Sequence, residues 1–287
     1  MKIPIIVLNY NSSADCRECV ADLKRQEGVE LDIVIVDNCS PRKGEQDAIR
    51  QLCANEGCTF IQAKENRGYN AGNNIGLRYA ADKGYRYALI ANPDMEFPQT
   101  DYLRRLTDAL TAHSDAVVCS STILGVRGEH QNPSKPDGNW TDSWHWVRSI
   151  FGNKNKSRTV ADYLDNPLTS HYCIKVSGCC LLVDLNFLQK IDFFDEGVFL
   201  YCEEAILAKQ VAQAGRKMFY TIDCSAVHRH IASEKGDPVR RFKNWCRSRL
   251  YFERRYNCRS VFSYLITAAS WRLYTGMLIL NAKFRKR

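Results

Sequence analysis

The residues of this sequence that could do chemistry sit where apolar runs end. Asp94 stands in Asn92-Pro93-Asp94, directly after the run Tyr87 to Ala91. A carboxylate held in a stiff turn can share a hard divalent cation, Mg²⁺ or Mn²⁺, with phosphate oxygens and water, and the cation would neutralise a departing diphosphate. The same tripeptide is ordinary turn chemistry, and by itself it supports both readings equally. Asp37 closes the run Ile33 to Val36, where a carboxylate can accept from a base N–H or a ribose hydroxyl. With Asn38 and Ser40 behind it, a turn or helix entry is the plainer reading. Asn9-Tyr10-Asn11 follows the opening run in the same manner.

Asn66-Arg67-Gly68-Tyr69-Asn70-Ala71-Gly72-Asn73-Asn74 opens a helical pattern. So many small and amide residues there are expected to bring backbone N–H groups towards an anion. The stretch lacks Gly-Lys-Ser/Thr and the G-x-G-x-x-G spacing, which counts against ATP and NAD. Ser177-Gly178-Cys179-Cys180 interrupts an apolar pattern, and a glycine there lets a backbone approach a ligand or another strand. From Phe194 to Glu204 the carboxylates Asp195, Glu196, Glu203 and Glu204 surround an aromatic stretch that includes Tyr201. One of them could serve as a general base; acids favoured by a helix dipole are the alternative. Val227-His228-Arg229-His230 places two imidazoles on one strand face, as a metal ligand or as structural residues.

The elements that must position these residues follow from periodicity. Ile3–Leu8, Leu31–Val36, Cys58–Ala63 and Tyr87–Ala91 read as strands, with helices near 14–26, 44–56 and 71–83 between them. That alternation predicts a parallel sheet, which binds ligands at the carboxyl ends of its strands. A helix near 100–113 and a strand Ala116–Ser120 come next. Residues 125–170 lack periodicity and read as a long irregular segment of the kind that shapes a substrate site. Order returns with a strand pattern from Tyr172 to Asp184, a helix from Ala205 to Gly215 and a strand Met218–Ile222.

Composition narrows the class. The chain has 287 residues, 45% of them hydrophobic and 25% charged, which describes a globular protein rather than a disordered one. Ile3 to Leu8 is only a strand's length and has no basic head or cleavage site, so a cytoplasmic protein that starts inside its fold is expected. Thirteen cysteines is an odd number, and reduced thiols are expected over a disulfide framework. Asn139-Trp140-Thr141 then carries no weight as a glycosylation sequon. The net charge of +8 gathers late, from Arg240 to Arg259 and again at Lys283 to Arg287. No nucleic-acid motif accompanies it. The segment Val261–Leu280 is apolar but interrupted by Ser263, Thr267, Ser270 and Arg272. Two readings stay open for it, a helix lying on an anionic membrane surface and a basic amphipathic extension packed on the domain.

Taken in order, these segments resemble the inverting glycosyltransferase family 2. The resemblance covers Ile3 to about Ser233 and rests on the sequence of motifs. It implies a GT-A fold, an α/β architecture with a Rossmann-like, mostly parallel central sheet flanked by helices. Residues 1–120 would form the nucleotide-sugar-binding half, 121–234 the acceptor and catalytic half, and 235–287 a helical extension. Asn9, Tyr10, Asn11, Asp37, Asn66, Gly68, Asn70, Asn73, Asn92 and Asp94 would line the donor, with Asp37 on a pyrimidine. Asn92-Pro93-Asp94 stands in place of an Asp-x-Asp motif, in the form of the rhamnosyltransferase-like members. Gly178, Asp195 and Tyr201 would face the acceptor or sugar. Glu204, where the family has Asp, would be the base beside Glu203, and a later family Asp is replaced by Ile206. Asp94 with His228, or with His230, would hold Mg²⁺ or Mn²⁺.

The implied partners are a UDP- or dTDP-linked sugar and a saccharide or lipid-linked saccharide acceptor of surface polysaccharide synthesis; a homodimer stays open. Two other functions compete: a nucleotide- or glycan-binding protein without turnover, and a nucleotidyltransferase. The latter needs a basic Gly-rich N-terminal loop, which Asn9–Asp15 does not provide.

Overall fold

Unbroken β-branched runs need cover on both faces, and the first strands receive it. In a computed structural model of the chain, which describes residues 1–137, 143–147, 167–229 and 237–284, β1 (Lys2–Asn9) is buried at every residue but the first. It lies parallel to β2 (Glu30–Asp37) and β4 (Tyr87–Ala91), and β2 lies parallel to β3 (Thr59–Gln62). The crossovers are α1 (Ser13–Lys24), α2 (Glu45–Glu56) and α3 (Tyr69–Asp82). Apolar side chains of α1, α2 and α4 (Tyr102–Thr111) cover one face of the sheet, including Val20, Leu23, Ile49 and Leu106. Leu77 and Ala80 of α3 belong to the opposite layer, with Leu185 and Leu188 of α5 (Leu185–Lys190) and Leu207 and Val211 of α6 (Glu203–Gln213). Each such fully buried aliphatic side chain stabilises by about 1.5–3 kcal/mol.

Beyond β4 the sheet mixes directions. Adding β5 (Met95–Glu96), β6 (Ala116–Gly125), β7 (His171–Cys173), β8 (Cys180–Asp184) and β9 (Lys217–His228), the strand order among the described residues is β3-β2-β1-β4-β8-β6-β9-β5, with β7 also on β9. β8 runs antiparallel to β4 and β6, whereas β6 and β9 are parallel. The strand expected from Tyr172 to Asp184 is therefore corrected to two strands in different parts of the sheet. β7 sits against β9 and β8 between β4 and β6, separated by the turn at 174–179. The 120/121 boundary falls inside β6, so both halves share one sheet. All thirteen cysteines carry free thiols in this structure.

The C-terminal extension is helical: α7 (Pro238–Phe252), a π-helical turn at Glu253–Asn257, and α8 (Val261–Phe284). A charge network fastens it to the domain. Arg249 Nη2 lies 2.8 Å from buried Glu253 and Nη1 2.5 Å from Asp137, and Lys175 Nζ lies 2.7 Å from Asp137. Burial alone would raise the Asp137 carboxyl, and Lys175 and Arg249 outweigh it, holding the pKa down. Of the irregular segment, the described piece at 143–147 docks on α8 through Trp146, whose Nε1 donates to Ser270 Oγ at 2.8 Å. No helix among the described residues is long and apolar enough to cross a membrane. The sequon at Asn139, His230 and the final Arg285-Lys286-Arg287 lie outside the described residues.

Candidate active site

Parallel register puts Asn9 opposite Asp37 at the carboxyl ends of β1 and β2. The buried Asp37 carboxylate takes four donors: Asn9 Nδ2 at 2.7 Å and Ser40 Oγ at 2.6 Å on Oδ1, and the Ser40 N–H at 3.0 Å and Gln62 Nε2 at 2.8 Å on Oδ2. Asn9 Oδ1 accepts from the Ser12 N–H at 3.0 Å and from Ser12 Oγ at 3.1 Å. With both ends of its amide engaged and the side chain buried, Asn9 supports the Asp37 carboxylate. Tyr10, 46% exposed, forms the open rim beside it. Asn11 adopts φ 57° and its Oδ1 accepts from the Arg42 N–H at 3.0 Å, closing the loop.

Asp94 owes its neighbour to the shortest strand. β5 pairs with the end of β9, Met95 opposite His228, and this brings His228 Nε2 to 3.4 Å from Asp94 Oδ1. Nδ1 of the ring faces Gln131 Oε1 at 2.9 Å. Burial would lower the pKa of His228, but Asp94 and Cys179 outweigh it and push it up to about 9. The shift reflects how closely the ring faces the buried Asp94 carboxylate. Among the described residues there is no cluster of three His, Cys, Asp or Glu able to hold a metal. Asp94 and His228, the latter once its Nε2 proton is lost, would bring one oxygen and one nitrogen donor to a single point and leave further positions to phosphate and water.

The amide-rich opening of α3 binds a neighbouring segment of the chain. Asn66 Oδ1 accepts from the Gly68 N–H at 2.9 Å, and the Tyr69 N–H donates to the Phe199 carbonyl at 2.9 Å. Asn70 Nδ2 donates to the Asp195 carbonyl at 2.7 Å, and Asn74 Nδ2 to the Phe194 carbonyl at 2.8 Å. Asn73 Nδ2 turns back to the Tyr69 carbonyl at 3.1 Å. Gly68 has φ 106°, and a Cβ on it would meet the Phe199 carbonyl oxygen at 2.3 Å. The Asn70 and Asn74 side-chain amides and the Tyr69 N–H thus clamp the segment Phe194–Phe199 by satisfying its carbonyls.

That clamp delivers the carboxylates. Tyr201 and Cys202 both have left-handed backbone, φ 75° and 67°, an uncommon state for non-glycine residues that aims the helix start of α6. Glu203 Oε1 accepts from the Tyr201 N–H at 2.7 Å. Burial first, and the Glu204 charge second, raise the Glu203 pKa and favour its neutral form. Glu204 Oε1 accepts from the Gly178 N–H at 3.1 Å. A Cβ on Gly178 would lie 3.0 Å from that oxygen, so the missing side chain makes the room.

The turn entering β8 is the hub of the site. Tyr69 Oη lies 2.8 Å from the Gly178 carbonyl and 2.8 Å from Asn92 Oδ1, and the Asn92 N–H donates to the Cys179 carbonyl at 2.8 Å. Asn92, beside Asp94, is thereby joined through Tyr69 and Gly178 to Glu204. Tyr69 was no more than an aromatic in the loop pattern; its buried hydroxyl, with a pKa raised by burial, is what sequence reasoning missed. The Asp195 carboxylate accepts from Tyr251 Oη at 2.9 Å, from Tyr256 Oη and from the Gly197 N–H at 2.7 Å, and so anchors the C-terminal helices.

Residues 5–170 match the family model for Glycosyl transferase family 2. The chain is 24% identical over 294 residues to the low-salt glycan biosynthesis hexosyltransferase Agl10 of Haloferax volcanii, covering 99% of this chain and 86% of that protein. It is 21% identical over 256 residues to the N-acetylglucosaminyl-diphospho-decaprenol L-rhamnosyltransferase of Mycobacterium tuberculosis, covering 83% and 79%. In structure it resembles the mannosyltransferase PcManGT of Pyrobaculum calidifontis, solved with GDP-Man and Mn²⁺, at a TM-score of 0.58, 16% identity and coverage of 98% and 72%.

Proposed function

The chain belongs to glycosyl transferase family 2 and is a glycosyltransferase, and from that premise we propose that it transfers a sugar from a UDP- or dTDP-linked donor with inversion. The observation that carries this reading is the hydrogen-bonded path from Asn92 through Tyr69 and Gly178 to Glu204. It fixes a base candidate relative to the Asp94 strand end.

Glu204 takes the proton of an acceptor hydroxyl, and that oxygen forms a bond to the anomeric carbon as the bond to the diphosphate oxygen breaks; the electron pair leaves with the nucleoside diphosphate. Glu203, kept neutral by burial beside Glu204, adds no second charge to the same spot. Asp37, held by four donors, faces the base, with Tyr10 over the rim. Asp94 and His228 would hold Mn²⁺ or Mg²⁺, which when bound neutralises charge on the diphosphate. The Mn²⁺ bound in the Pyrobaculum enzyme supports a divalent cation. The acceptor is a saccharide or lipid-linked saccharide of surface polysaccharide synthesis, and the enzyme works in the cytoplasm. The Mycobacterium relative, named for a diphospho-decaprenol acceptor, supports a lipid-linked one.

A panel of nucleotide sugars incubated with and without Mn²⁺ or Mg²⁺ tests the reading through donor hydrolysis and transfer. Turnover of one donor, lost in Asp94→Ala and lowered by about 10²–10⁴ in Glu204→Gln, is the expected result. Tight binding of a nucleotide sugar with no turnover under any metal would establish a binding protein instead. Near-native turnover in a folded Glu204→Gln would remove Glu204 as the base.

A further inference from the structure

α8 is built with its polar side inward. Over its 24 residues the buried positions are Ser263, Thr267, Ala268, Ser270 and Thr275. Ser270 Oγ donates to the Ser143 carbonyl at 2.7 Å and accepts from Trp146, and Ser263 Oγ donates to the Ser260 carbonyl at 2.9 Å. On the outward side stand Val261, Phe262, Leu265, Leu273, Leu280 and Phe284, each 57–76% exposed. At 3.6 residues per turn these six fall within an arc of roughly 140°. Arg272 and Lys283, both exposed, lie on the Val261 and Leu265 side of that arc, and exposed Arg254, Arg255 and Arg259 precede the helix.

A helix that hides its hydroxyls and offers its leucines and phenylalanines is arranged for surroundings less polar than water. Crossing a bilayer does not fit, because the inward side is polar and docked on the protein, and no described helix qualifies as a span. A second copy of the chain fits poorly as well: two such faces laid together bring the arginines and lysines of both ends against like charges. An anionic lipid surface satisfies both features, taking the apolar arc below its headgroups and the cations among them.

We propose that the outward face of α8 lies in the interface of an anionic phospholipid bilayer, with the helix axis along the surface. The proposal deepens the glycosyl-transfer reading and rests on it for its use: α7 and the π turn carry Tyr251 and Tyr256, which hold Asp195 in the segment leading to Glu204. The elements leading into the lipid-facing helix therefore brace the segment before Glu204, where a lipid-linked acceptor would arrive.

Full-length protein is floated through a sucrose gradient with phosphatidylcholine vesicles, with or without phosphatidylglycerol. Wild type should float with the anionic vesicles. Leu265→Glu combined with Leu273→Glu, at exposed positions, should lower the floated fraction roughly tenfold, and Arg272→Glu with Lys283→Glu should reduce binding to the level seen on phosphatidylcholine alone. Melting curves should match the wild type; if the first pair does not fold, Phe262→Ser with Leu280→Ser replaces it. Wild type left in the load, or leucine variants that float undiminished, would overturn the proposal. So would a solution dimer, by light scattering, that those substitutions dissociate, since it assigns the face to a second copy. Donor hydrolysis in the same preparations without vesicles reports separately on the transfer reading.

Discussion

Removing one oxygen, in Tyr69→Phe, should reduce turnover through a residue that Tyr69 does not touch. The Tyr69 hydroxyl stands 2.8 Å from two acceptors, Asn92 Oδ1 and the Gly178 carbonyl, and is itself buried. With one proton it donates to one of them at a time, so the phenylalanine variant leaves a buried acceptor without its donor, a cost of about 1–3 kcal/mol. At roughly 2–4 °C per kcal/mol for a domain of 150–250 residues, the melting temperature should fall by several degrees. The Asn92 N–H still donates to the Cys179 carbonyl, so the Asp94 turn keeps its place and the KM for donor should change little. Gly178 is the freer end, and any shift of its backbone moves the N–H that holds Glu204 Oε1. A misplacement that costs about 1.4 kcal/mol in the transition state gives a tenfold lower kcat. The decisive assay is a double-mutant cycle with Glu204→Gln, read as kcat at saturating donor. If Tyr69 acts through Glu204, adding Tyr69→Phe to Glu204→Gln lowers kcat no further. Full additivity, or a loss confined to donor KM, would refute the path.

Gly178→Ala should lower kcat by about tenfold or more with a small stability change, because its Cβ would press on the Glu204 carboxylate from 3.0 Å; steady-state kinetics beside a melting curve checks it, and unchanged kcat would separate Gly178 from the base. The raised pKa of Glu203 has a stability consequence whose sign is fixed: the folded state favours the neutral acid, so that contribution is complete below the ordinary carboxylate range and is lost as pH rises through the raised value. Urea midpoints measured from acid to mildly alkaline pH should fall in the wild type by more than in Glu203→Gln, and parallel curves would contradict the assignment. Asp195→Ala removes the acceptor of two tyrosine hydroxyls and should loosen α7 from the acceptor segment. Faster proteolysis between 229 and 260, with donor binding retained, is the expected pattern; unchanged protection would mean that the Arg249 network holds the extension alone.

Strands β1, β2 and β4 could be read from the sequence because runs such as Ile33-Val34-Ile35-Val36 leave the chain few other ways to cover both faces. The direction of β8 could not, since Cys180–Asp184 has the same apolar pattern whichever way it runs. Two-residue β5 has no period at all, yet its register on β9 selects His228 as the neighbour of Asp94. Six-residue α5 is too short for helical periodicity to separate it from the strand before it. In the candidate site, the strand-end places of Asp37 and Asp94 were legible from the apolar runs before them. The amide loop was legible as special but its clamp on Phe194–Phe199 was not, because an asparagine offers the same donors to a phosphate and to a carbonyl. Only the tertiary approach of Phe194–Phe199 decides between them.

The tyrosine clasp on Asp195 bears on when this protein becomes competent during its synthesis. The strand ends that carry Asp37 and Asp94 emerge early, but the histidine facing Asp94 comes from residue 228 and the hydroxyls that steady the acceptor wall from residues 251 and 256. A nascent chain can thus complete the Asp37 pocket long before it can complete the wall beside Glu204. The helices made last, α8 with its apolar outward face among them, are thus also the ones that follow and brace that wall.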